Sequence, residues 1–96
     1  MKEAIPVKQK HITHGRATSC CFCPVALALQ ERYKNAFAGL TQMSLMENYD
    51  DDLEKWFNTS PEVLAWMEAF DAGAPVEPFI LILDHKAKTA EMMEEA

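Results

Sequence analysis

A chain of 96 residues, 49% hydrophobic and 25% charged, holds one domain with a modest core, which excludes global disorder and a two-domain architecture. The formal net charge of −6 has the wrong sign for a domain that neutralises phosphates. Apolar runs such as residues 25–29 and 79–83 are too short to cross a bilayer, so neither direct nucleic-acid binding nor a membrane role is expected.

The first residues, Met1 to Pro6, contain no apolar export segment. The three cysteines Cys20, Cys21 and Cys23 crowd four positions, whereas a secreted disulfide framework spreads an even number along the chain. The expectation is a cytoplasmic protein in a reducing compartment. Charge is uneven: residues 1–46 carry six Lys/Arg against two Asp/Glu, and residues 47–96 carry three against thirteen.

In chain order, Ile5-Pro6-Val7 reads as a short strand that Pro6 confines to an edge or a strand start. Residues 10–16 read as a turn or short helical loop closed by Gly15, and residues 18–23 as irregular. Pro24 suits the first position of a helix that runs to Tyr33, with Val25, Ala28, Leu29 and Tyr33 on one face. Residues 36–46 are predicted as a strand without a clean apolar face. The composition of residues 48–52 predicts a turn, and residues 53–58 are expected to return as a short strand carrying Trp56 and Phe57.

The second helix has the clearest local signals. Ser60 is an N-cap, Pro61 the first helical residue, and Glu62 suits the positive helix end. Val63, Trp66, Met67 and Phe70 form an apolar stripe, while Glu62, Ala65, Glu68 and Ala72 face away. Gly73 ends the helix in a left-handed cap. Residues 79–83, apolar throughout, predict a strand covered on both faces or lying at an interface.

These elements predict an α+β fold: a small antiparallel sheet of three to four strands with two main helices, in a β-α-β-β-α-β, ferredoxin-like order. The domain is expected over residues 1–85, followed by an acidic tail over residues 86–96, helical or frayed.

The segment His11-Ile12 … Gly15 … Cys20 … Cys23-Pro24-Val25-Ala26-Leu27-Ala28-Leu29 resembles a recurring signature. So does the run Val63 … Trp66-Met67 … Phe70-Asp71-Ala72-Gly73 … Val76-Glu77-Pro78-Phe79. Together they resemble small bacteriophage and mobile-element proteins. The resemblance implies a phage or prophage context and, by analogy, a protein that binds and blocks a host or defence protein, an anti-CRISPR role included. It carries no catalytic residues.

Three features carry candidate chemistry. His11-x2-His14 and Cys20-x2-Cys23 supply two His and two Cys, a chemically adequate zinc set, though the five residues between the pairs are fewer than finger patterns use. Cys23 before a helix also fits a redox thiol; the ordinary alternative is cysteine acting as a small apolar core residue. The acidic residues Asp50, Asp51, Asp52, Glu54, Glu62 and Glu68 form a candidate partner-binding face able to occupy a basic groove. Its ordinary alternative is a solvated surface. Trp56, Phe57 and six methionines exceed the needs of a small core and suit an interface, a homo-oligomeric one included.

No phosphate-cradling glycine loop, metalloprotease helix or nucleophile elbow occurs. The sequence therefore predicts a non-enzymatic, stoichiometric protein-binding domain without cofactor, with a zinc-stabilised domain or a thiol redox protein as alternatives.

Overall fold

A computed structural model describes residues 2–19, 21–34, 36–45 and 56–93. The order of elements is β1 (Lys2–Val7), α1 (Gln9–His14), α2 (Pro24–Gln30), β2 (Phe37–Ala38), β3 (Gln42–Ser44), β4 (Trp56–Thr59), α3 (Pro61–Asp71), β5 (Phe79–Asp84) and β6 (Thr89–Met92). Among the described residues the six strands form one mixed sheet in the order β1-β5-β6-β4-β3-β2, curled into a half-barrel. Neighbours are antiparallel except β4 and β6, which are parallel.

This corrects the expected ferredoxin-like sheet of three to four strands with two helices. Two local features account for the difference. Residues 36–46, predicted as one strand, are a hairpin: Gly39 breaks the run, and its N–H donates to the Gln42 carbonyl at 2.8 Å. The expected helical or frayed tail contains β6. Asp84 closes the turn before it by accepting from the N–H groups of Lys86 and Ala87, both at 3.0 Å. Lys88, at φ 58°, adopts the left-handed conformation that completes such hairpin loops. Helix-favouring composition in residues 86–92 is overridden by pairing with β5 on one side and β4 on the other.

The pleat sorts side chains into two faces. On the concave face, Ile5 sits opposite Leu81 and Leu81 opposite Met92. Leu83 sits opposite Ala90, and Phe57 opposite Met43, which pairs in turn with Ala38. Val25, Ala26, Ala28 and Leu29 of α2 and Val63 and Met67 of α3 are buried with them in one core. On the convex face Ile80 and Ile82 stay half-buried. Of the apolar run 79–83, Leu81 and Leu83 are thus fully covered on the concave side, while Phe79, Ile80 and Ile82 stay half-buried.

The short α1 is fixed by close packing. A Cβ placed on Gly15 would lie 2.7 Å from the Pro24 ring and 2.8 Å from the His11 carbonyl oxygen, so only glycine lets the end of α1 approach the start of α2. No helix among the described residues is long and apolar enough to cross a membrane.

Candidate protein-binding cleft

The loop residues 16–19 and 21–23 lead into α2, and their backbone is held at several points. Arg16 N–H donates to the Phe22 carbonyl at 2.8 Å, and Phe22 N–H donates to Ser19 Oγ at 3.0 Å. Gln30 Nε2 donates to the carbonyls of Cys21 and Ala36, at 2.8 and 3.1 Å, tying the loop to the approach to β2. Thr18 has φ 56°, a strained conformation for a β-branched residue. Its N–H donates to Asp71 Oδ1 at 2.8 Å, a charge-assisted bond from the last residue of α3 that offsets the strain.

Cys23 ends the loop as the N-cap of α2. Its Sγ accepts from Ala26 N–H at 3.4 Å and lies 3.9 Å from the Ala38 carbonyl oxygen. It is 4% exposed.

Between this loop and α3 lies a cleft of about 280 Å³. One wall is Trp66, Met67 and Phe70; the other is Cys23, Pro24 and the turn at Ala38, Gly39 and Leu40. Thr18, Ser19 and Asp71 supply the polar margin. The volume sits at the small end of ligand cavities, suited to an apolar side chain more than to a large cofactor. Leu40 is 42% exposed at this cleft, and Phe22 on the loop is 54% exposed with the Arg16 guanidinium 5.6 Å from its ring centre.

Trp66 divides this cleft from a shallower groove. Its ring stacks on Phe70 at 6.2 Å and tilts onto Phe79 at 4.9 Å. Its Nε1–H donates to the Glu77 carbonyl at 2.9 Å. These contacts explain why Trp66 and Phe70, predicted on the core stripe of α3, stay half-buried while Val63 and Met67 are buried.

The predicted zinc set is only partly within the described residues, because Cys20 lies outside them. His11 is buried and both of its ring nitrogens have protein partners. Nδ1 accepts from Lys8 N–H at 2.8 Å, which places the ring hydrogen on Nε2, 2.9 Å from Glu31 Oε2. His14 is exposed, whereas Cys23 is buried. No group of three or more His, Cys, Asp or Glu side chains among the described residues is arranged to hold a metal. Of the predicted acidic face, Asp50, Asp51, Asp52 and Glu54 lie outside the described residues. Glu62 and Glu68 are exposed on α3, and Glu62 borders the groove beside Trp66.

One polar cluster escaped the sequence reading. Glu3 on β1 accepts from Tyr33 OH at 2.7 Å and from Arg32 at 2.9 Å, and His85 Nε2 lies 2.9 Å from its Oε1. Burial pushes the Glu3 carboxyl up, but the hydrogen bonds from Tyr33, His85 and Arg32 together outweigh it and hold the group below its ordinary value. His85 also meets the Phe57 ring edge-on at 5.1 Å. The cluster latches β1, the residues after α2 and the β5–β6 turn. Its members lie up to 82 positions apart, and no local pattern joins them.

Compared with known proteins, the chain matches no family model, no curated protein and no solved structure.

Proposed function

We propose that this domain acts by binding another protein stoichiometrically, as an inhibitor or accessory, and that an apolar side chain of the partner enters the cleft between α3 and the loop of residues 16–23. The observation that carries the reading is the cleft itself: apolar walls of Trp66, Met67 and Phe70, with Leu40 standing 42% exposed beside them. Aromatic and methionine side chains dominate interface cores because they offer large apolar area and adapt to what they meet. The cleft is already formed, since the Asp71–Thr18 bond and the Cys23 cap hold both sides of its mouth, so little ordering cost opposes binding. The polar groups at its margin have intramolecular duties, which favours occupancy over chemistry. The resemblance to small phage proteins supports a host or defence protein as the target.

The test is capture of partners by the tagged protein from nuclease-treated lysate of its host, compared with Leu40→Asp. The reading expects a protein near one-to-one stoichiometry whose affinity falls at least about tenfold with Leu40→Asp, the scale of losing one buried interface anchor. Equal capture by both proteins, or capture of nothing, overturns it.

A further inference from the structure

We propose that the groove on the far side of Trp66 reads the charge of that partner, taking an extended segment in which an apolar side chain is flanked by lysine or arginine. The inference rests on the binding reading above and adds the chemistry of the occupant.

The groove runs between α3 and the segment leading into β5, with a volume of about 680 Å³. Trp66, Phe79 and Met92 form its apolar floor, and the small side chains of Ala65 and Ala69 keep its α3 side low. Its other wall is stiff. Pro75 and Pro78 have fixed φ, Ala74 N–H donates back to the Ala69 carbonyl at 2.9 Å, and the indole of Trp66 holds the Glu77 carbonyl at 2.9 Å. The floor and the wall are therefore one hydrogen-bonded unit.

Every charged side chain lining this groove is a carboxylate: Glu62 at the first turn of α3 and Glu77 on the opposite wall, both exposed. An apolar floor between carboxylates complements an apolar side chain with cationic neighbours. The ammonium or guanidinium groups would pair at the solvated margin, where desolvation is small and opposite charge speeds encounter. A phosphate backbone would be repelled by the same two groups.

The experiment pans a displayed random-peptide library against the full chain, then measures the enriched peptides against the double variant Glu62→Lys/Glu77→Lys. Both positions are exposed, and matching thermal melts establish that the variant is folded; Glu62→Gln/Glu77→Gln provides a neutral version should the reversal unfold the chain. The expected winners place Lys or Arg beside an aromatic or aliphatic residue. They should lose affinity at least about tenfold with the reversal and less with the neutral pair, and the loss should shrink at high salt. Winners without basic residues, equal binding to the reversed variant, or no enrichment would overturn the proposal. So would concentration-dependent self-association that the reversal abolishes, because the groove would then serve a second copy. A lysate partner that Leu40→Asp loses but the reversal leaves unaffected overturns the groove alone and leaves the binding reading standing.

Discussion

Cys23 shows how much one side chain does at the entrance of α2. It caps the helix through Sγ and fills core space at 4% exposure. Cys23→Ala is expected to cost about 1–2 kcal/mol from the lost cap and the void left behind, with Cys23→Ser recovering part of it; urea unfolding of the two variants checks the order. Gly15 is constrained by space: its φ is an ordinary −73°, yet any Cβ meets the Pro24 ring. Gly15→Ala should therefore destabilise by about 1–3 kcal/mol, read in the same urea series. Glu31 gives a pH prediction. Its hydrogen bonds with Lys10, then with His11, hold the carboxyl down from 4.5 to about 2. A folded value below the unfolded one contributes stability that is present above about 4.5 and is lost as pH falls towards 2. Glu31→Gln should flatten the acid limb of stability measured between those values, and equal acid limbs in both proteins would refute the assignment. At this scale the sequence drew attention to His11 and Cys23 as candidate ligands and to Gly15 as a loop end, but not to the packing and capping partners the structure gives them. Glu31 lies twenty positions from His11, and nothing local announces the pairing.

Among the elements, α3 was the most legible because its signals are local. Ser60 Oγ accepts from Val63 N–H at 3.4 Å. At the other end Gly73 N–H reaches the Phe70 carbonyl and Ala74 N–H the Ala69 carbonyl, the paired bonds of a left-handed helix stop. Gly73 sits at φ +80° with open space around its Cβ position, so the cost of a side chain there is conformational. Gly73→Ala should lower stability by about 1–2 kcal/mol and Gly73→Asn by less; equal losses would show that packing, not backbone conformation, sets the requirement. The β2–β3 hairpin and β6 were misread for the opposite reason. Two- to four-residue strands carry too short a pattern to declare themselves, and they exist because neighbouring strands pair with them. The same limit hid the cleft. The α3 stripe could be read from spacing, but Thr18 meets Asp71 across 53 positions, and only the fold brings the loop to the helix.

For the whole molecule, the decisive feature is the place of β6. It lies between β5 and β4, so that among the described strands it makes the hydrogen-bonded link between β1-β5 and β4-β3-β2, while α2 packs against both β1 and β2. The sequence order suggested an antiparallel sheet of three to four strands ending with residues 79–83, and a parallel β4–β6 pair could not be inferred from alternation. Removing residues 89–96 is expected to abolish cooperative unfolding, monitored by circular dichroism during a thermal melt. A truncated chain that still melts cooperatively would show that the two halves hold together without the strand.

That placement also governs when the sheet can close during synthesis. A ribosome delivers residues in order, at roughly 5–20 per second, so among the described elements five strands and three helices emerge before the strand that closes the sheet. A product ending before Thr89 would lack the strand that hydrogen-bonds β5 to β4 and leave an open edge on each. The described sheet would thus close only in chains synthesised through Met92.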